Sequence, residues 1–275
     1  MTFDWNFGFR IGMGKENVLS GYDVFIMYTR YTTAASDGQH KNLPSGFWGL
    51  TGFLNPAIKV GSNYHLSYQN IDTEAARSYY ISSRILVKSN IGLKFSCISQ
   101  KQKSYYGFDV QSEGLVSFTS NLKDRCLFLG VGPKIGVSSR WYLGREISLY
   151  NQVGAALLYG YFKIKDNYTA DEAQVANQQV VTSLSQIELL GSSHRFSPFA
   201  EMLIGISWNR AYLKDKVIVM ISLNYETLYF WRQAQKLVAE GVLTTKESSN
   251  GVRSSRVLFE RQAEDLGFRG LSLKL

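Results

Sequence analysis

Very few residues in this chain have the types and spacing that catalysis would need. His65 and Ser67 stand two apart and share one face of an extended strand. Base and nucleophile of a hydrolase can be placed this way, but no oriented acid and no oxyanion-stabilising element accompanies them, so the pairing reads as coincidence. Gly130, Gly132 and Gly136 have the look of a phosphate loop. They lack that loop's closing lysine and hydroxyl residue, and they fall inside a strand pattern, where small residues relieve crowding. His40, His65 and His194 lie far apart without metal-ligand spacing. Asn167-Tyr168-Thr169 fits a glycosylation sequon, too short a match to carry weight by itself. No metal, no cofactor and no enzymatic activity is expected. Cys97 and Cys126 are read as ordinary thiols, with a bridge in an oxidising compartment left open.

A different chemistry is carried by charges set among apolar strand positions. Arg10, Lys88, Lys94, Lys134 and Glu201 fall opposite apolar faces, together with Asn6, Asn90, Ser96 and Ser148. If the apolar faces meet lipid, these residues point into a lumen, since a charge facing lipid costs roughly 2–4 kcal/mol at the bilayer midplane. Basic residues outnumber acidic ones in this set, which predicts a mild preference for anions. The alternative is that Glu201, Glu226 and Asp23 pair with the basic residues and pack the interior.

The elements that position these charges must be long strands. Tyr (17), Phe (16) and Gly (24) are frequent and Pro (4) is rare, as long strands require. The longest strongly apolar run is Val217 to Ile221, too short for a membrane helix. Period-two alternation recurs, as in Trp5, Phe7, Phe9, Ile11 and Met13 against Asn6, Gly8, Arg10 and Gly12. It is clearest in Leu127, Leu129, Val131, Pro133, Ile135 and Val137 against Phe128, Gly130, Gly132, Lys134 and Gly136. Nine strands are predicted, at 3–14, 22–33, 62–73, 84–100, 125–140, 146–164, 196–210, 215–230 and 264–275. Several reach the roughly 9–11 residues of a tilted membrane strand.

Connections alternate between short (15–21, 74–83, 141–145, 211–214) and long (34–61, 101–124, 165–195, 231–263). That is the pattern of periplasmic turns and outer loops in an antiparallel, up-and-down transmembrane β-barrel. Residues 171–190 and 232–240 have near-helical spacing and are predicted as helices within two of the long loops. Trp141, Tyr142, Trp208 and Tyr212 flank short turns, and Phe3, Trp5, Tyr229, Phe230 and Trp231 sit at long-loop ends, as two interfacial girdles would. The first and last strands run in the same direction, which predicts at least one further strand before Met1, ten or more in all, and a signal peptide ahead of it. Residues 1–275 are thus expected to form a single, N-terminally truncated barrel domain.

The sequence resembles the Legionella-type major outer membrane proteins and their chlamydial relatives. The resemblance is carried by Trp5-Asn6-Phe7-Gly8-Phe9-Arg10-Ile11-Gly12, Asp23-Val24-Phe25 and Tyr28-Thr29-Arg30. It continues through Gly132-Pro133-Lys134-Ile135-Gly136 with Trp141-Tyr142-Leu143-Gly144, and Leu157-Leu158-Tyr159-Gly160 with Phe162-Lys163. Tyr225-Glu226 before Phe230-Trp231, and Asp265-Leu266-Gly267 before Gly270-Leu271-Ser272-Leu273, complete it. The resemblance implies a pore-forming barrel in the outer membrane of a Gram-negative bacterium, ion transport by passive diffusion of small hydrophilic solutes, and sometimes host attachment. It also implies a closing aromatic residue, where this chain has Leu275, and cysteines able to cross-link an envelope.

The expected function is therefore a general diffusion porin. The second reading is an adhesin or structural barrel acting through its long outer loops, with Phe47 and Trp48 as exposed candidates; a soluble β protein with a ligand cavity, or an outer-membrane enzyme, is the third. Expected partners are outer-membrane lipids and lipopolysaccharide, small hydrophilic solutes, a host-cell receptor and further copies of the chain. The net charge of +8 is spread along the sequence without a basic cluster, which argues against nucleic acid.

Overall fold

Side chains that alternate in polarity along a strand need two different environments, and a rolled sheet supplies them as an outside and an inside. The computed structural model describes residues 6–19, 21–39, 59–110, 116–144, 146–176, 179–212, 217–240, 246–247, 253–254 and 258–274. The strands are β1 (Gly8–Leu19), β2 (Tyr22–Gln39), β3 (Lys59–Ser82), β4 (Ile85–Val110), β5 (Val116–Gly144), β6 (Ile147–Ala176), β7 (Gln179–Tyr212) and β8 (Val217–Glu240). Two short strands, β9 (Lys246–Glu247) and β10 (Arg253–Ser254), pair with each other. The last strand is β11 (Leu258–Lys274). The main sheet has nine strands in the order β1-β2-β3-β4-β5-β6-β7-β8-β11, each antiparallel to the next.

The sheet curls until its ends approach. Arg10 of β1 pairs with Glu226 of β8, and the ring of Tyr31 on β2 lies 5.8 Å from that of Phe268 on β11. β1 and β11 are not hydrogen-bonded to each other among the described residues, so the barrel wall is rolled but not closed.

The nine predicted strands are all present; eight are longer than expected, and the first, Gly8–Leu19, has the expected length but lies further along the chain. The segments expected to be helical are strand instead, among the described residues. In β6 and β7, Asn167–Ala176 pairs residue for residue with Gln179–Glu188, and β8 runs on to Glu240 against β11. A helix in an isolated loop is marginal in water, whereas extending an existing ladder satisfies the backbone of both strands. The long connections 101–124 and 165–195 are therefore mostly hairpin. Phe3, Trp5, Phe47 and Trp48 lie outside the described residues.

The outer face carries an exposed apolar belt: Ile91, Leu93 and Phe95 on β4, Leu129, Val131, Ile135 and Val137 on β5, Val153, Leu157 and Tyr159 on β6, and Met202, Ile204 and Ile206 on β7. Trp141 and Leu143 bound it at the turn end, and the edge-to-face pair Tyr229 and Trp231, 4.8 Å between centroids, bounds it at the other. Trp208 is half-buried. Phe230 is not a girdle residue: it points inward and is fully buried, because its parity on β8 is the opposite of Trp231's.

Candidate pore lining

The inner face is built in layers set by strand register. Nearest the short turns it is small and polar: Ser148 and Ser207 share a hydrogen bond of 2.7 Å, and Asn224 donates to Ser222. The next layer is ionic. Lys94 on β4 stands opposite Gly132, and Lys134 on β5 stands between Gly92 and Ala156. Small residues flanking each lysine leave room for its side chain to cross the interior. A Cβ on Gly92 would lie 1.8 Å from the carbonyl oxygen of Thr73, so the backbones there touch too closely for any larger residue.

Lys134 Nζ lies 2.8 Å from Glu74 Oε1, 2.8 Å from Glu201 Oε1 and 3.6 Å from Asp72 Oδ1. Lys94 Nζ lies 3.1 Å from Asp72 Oδ1 and 4.2 Å from the centre of the Phe199 ring. Arg10 bonds Glu226 and donates through Nε to Thr29 at 2.9 Å. Uncharged groups hold the carboxylates: Gln152 donates to Glu201, Asn90 to Glu74, Asn70 to Asp72, and Ser96 to Asn70. Lys88 pairs with Asp23 at 2.9 Å, nearer the short turns. Arg10, Lys88, Lys94, Lys134 and Glu201 thus all face the interior; Lys94, Lys134 and Glu201 meet in one network through Asp72, the Arg10–Glu226 pair is separate from it, and Lys88 is apart.

Sequence reading missed the carboxylates Asp72 and Glu74. Their signal was the alternation Asn70, Asp72, Glu74; Asp72 lay one residue from the end of the predicted strand 62–73, and Glu74 fell beyond it. With them, three cations (Arg10, Lys94, Lys134) face four carboxylates (Asp72, Glu74, Glu201, Glu226) in this layer, and its basic excess disappears.

Above the ions lies an apolar layer that the sequence analysis did not anticipate. Leu66, Tyr68, Ile98, Phe128, Leu158, Phe162, Ile164, Phe199, Leu228 and Phe230 form a buried cluster on the inner face. The Phe128 ring packs 4.6 Å from Phe162, and Phe199 packs 4.6 Å from Phe230. Gly130 and Gly160 stand opposite each other beneath the Phe128 ring, and a Cβ on either would fall within 2.3 Å of it. Unbroken apolar runs such as Leu127-Phe128-Leu129 and Leu157-Leu158-Tyr159 were the available sign that both faces are buried here.

The outer end is covered by a hairpin. Pairing of β7 with β8 ends at Phe199–Phe230, and beyond it β8 keeps only β11. Arg232 adopts φ +54° and a bulge interrupts β11 between Glu264 and Leu266. Asp265 clasps the bend, accepting from Arg232 N at 2.8 Å and Tyr229 Oη at 2.6 Å. The bent β8 then touches the other walls. Gln100 of β4 donates to the Gln233 carbonyl at 3.3 Å, Ser197 of β7 donates to Gln233 Oε1 at 2.9 Å, and Leu237 N donates to Asp166 of β6 at 2.8 Å. Gln233 Nε2 and Gln235 Oε1 are buried without a hydrogen-bond partner, so the seam is polar and incompletely satisfied.

Asp166 stands directly opposite Asp124 under this hairpin, above the apolar belt. Burial pushes the Asp124 carboxyl up to about 7, helped by the charge of Asp166 and opposed by Lys236. Burial also pushes Asp166 up to about 6, against the N–H groups of Leu237 and Arg125 and the charge of Lys236. Cys126, also beneath the hairpin, is free and inward, while Cys97 is free and on the outer face.

Over residues 1–275 the chain matches the model of one family, the Legionella pneumophila major outer membrane protein precursor. The chain belongs to this family. Its place is the bacterial outer membrane, so the apolar belt meets hydrocarbon and the ionic layer lies inside the wall. No curated protein and no solved structure matches the chain.

Proposed function

We propose that this outer-membrane protein is a porin, a path for passive diffusion of small hydrophilic solutes, closed in the conformation described and opened by outward movement of the β8–β11 hairpin. The supporting observation is the ionic layer. Replacing buried ion pairs by apolar side chains is often neutral or stabilising, so seven charges inside a membrane wall contribute little that a purely structural barrel needs. A path for water and solutes gives them a role. The polar seam at Gln233 and Gln235 is the place where the path opens, since both sides regain hydrogen bonds to water on parting. With four carboxylates to three cations, the layer favours cations slightly. No catalysis is involved.

One observation favours the second reading, an adhesin or structural barrel. Phe128, Phe162 and Phe230 are fully buried, and they shut the interior. Single-channel recording separates the two. The full chain is expected to give brief openings, and Asp265→Ala, which unclasps the bend, to lengthen them. A silent wild type together with a silent Asp265→Ala would leave the surface-barrel reading standing.

A further inference from the structure

The basic residues that are spread along the sequence are gathered by strand register. His65, Lys101, Arg125 and Lys165 stand directly opposite one another in a single row across β3, β4, β5 and β6. Lys103 opposes Lys123 in the row above, and Lys163 lies one row below. All share the outward parity of the apolar belt and lie just beyond its outer edge. Lys101, Lys103, Lys123, Arg125 and Lys163 are exposed, and none has a carboxylate partner among the described residues. Lys165 alone is paired, with Glu188 of β7.

Like charges directly opposite on neighbouring strands are destabilising. Lys101–Arg125, Arg125–Lys165 and Lys103–Lys123 repeat that arrangement three times, which an anionic partner would relieve. Immediately below the patch the wall is concave. A groove of about 440 Å³ is lined by Ile71, Phe95, Cys97, Leu129, Val131 and Tyr161, among others, and is continuous with the belt. The row Cys97–Leu129–Tyr161 in the groove lies four residues from Lys101 and Arg125 along β4 and β5, roughly 13 Å at strand rise. An apolar trough ending in a cationic cluster at the membrane's outer edge fits an acyl chain attached to a phosphorylated head.

We propose that this face is a binding site for the phosphorylated, acylated glycolipid of the outer leaflet, lipopolysaccharide, with the groove taking an acyl chain and Lys101, Arg125 and Lys163 holding the phosphates. Guanidinium and ammonium groups together supply bidentate and point-charge contacts to phosphate. The site does not depend on whether the lumen conducts.

The test uses the full chain, refolded in detergent, with rough lipopolysaccharide carried through gel filtration. The wild type is expected to retain the lipid. The variant Lys101→Gln/Arg125→Gln/Lys163→Gln is expected to bind at least tenfold more weakly; its surface substitutions relieve repulsion and leave the fold intact. Phosphatase-treated lipopolysaccharide is expected to bind the unaltered chain at least tenfold more weakly, and polyphosphate, an anion without acyl chains, to fail to displace the bound lipid. Equal binding by the triple variant, equal binding of the dephosphorylated lipid, or displacement by polyphosphate would each overturn the assignment.

Discussion

Removing the charge of Lys134 should cost this protein more stability than any other conservative change at the ionic layer. Lys134 is 2% exposed and lies within 4.0 Å of three carboxylates, Glu74, Glu201 and Asp72. Lys134→Met keeps the length and shape of the side chain but leaves those carboxylates with one cation fewer, inside a wall that water reaches poorly. Breaking a buried ion pair by removing one partner typically costs about 3–5 kcal/mol, because the remaining charge is uncompensated. Three partners place Lys134 at the upper end, about 5 kcal/mol, or between three and four powers of ten in the folding equilibrium. Glu201→Gln in the same background removes one of the stranded charges and should restore about 1–2 kcal/mol, since residues in one network do not act additively. Urea unfolding in detergent micelles, followed by tryptophan fluorescence, measures both. A loss below about 1 kcal/mol for Lys134→Met, of the size seen for exposed pairs, would refute the claim that this layer is shielded from solvent.

Three further outcomes follow from the same layers. Phe128→Ala removes a fully buried ring from the apolar layer; it should lower stability by about 3–5 kcal/mol and raise conductance, and unchanged conductance in planar bilayers would remove this layer as the closure. Acid should favour the covered state. Asp124 and Asp166 hold protons at about 7 and about 6 beneath the hairpin, whereas a solvated carboxyl titrates near about 4, so closing takes up protons. Closure is then strongest near the solvated value and weakens as pH rises through about 6 to 7, so open probability should climb across that window, and Asp124→Asn/Asp166→Asn should flatten the climb; a fall with rising pH would contradict the sign. Gly132→Ala should lower stability by about 1–3 kcal/mol in the same unfolding assay, because its Cβ would meet the Leu157 carbonyl oxygen at 1.9 Å; a neutral result would mean that β5 and β6 separate there without cost.

The wall of this barrel is legible in the sequence because one of its solvents is hydrocarbon. Leu129, Val131, Ile135 and Val137 must be apolar whatever the interior does, so their alternation with Gly130, Lys134 and Gly136 survives as a clean period of two. The interior is less legible because its contents change with height. Where Phe128, Leu158 and Phe162 turn inward, both parities are apolar and the pattern vanishes, although the strand continues. Asp72 and Glu74 were hidden for a related reason: polar residues near a strand end resemble a turn until their partners, Lys94 and Lys134, are known. The spacing at 171–190 suits a helix about as well as a strand, and only the ladder between β6 and β7 decides it. The cationic row proposed to hold lipid could not be read from sequence, since Lys101, Arg125 and Lys165 meet through register alone.

The alternation of environments along β5 tests the central claim most directly. Single cysteines placed in a Cys97→Ala/Cys126→Ala background at positions 128, 129, 131, 134, 135, 137 and 138, reconstituted in vesicles and spin-labelled, would be probed by lipid-soluble oxygen and by a water-soluble nickel chelate. Labels replacing Leu129, Val131, Ile135 and Val137 should be reached by oxygen, and those replacing Phe128, Lys134 and Ser138 should be shielded from it. Oxygen access that is uniform along the strand, or highest at the even positions, would contradict a wall with hydrocarbon on one side and a packed interior on the other.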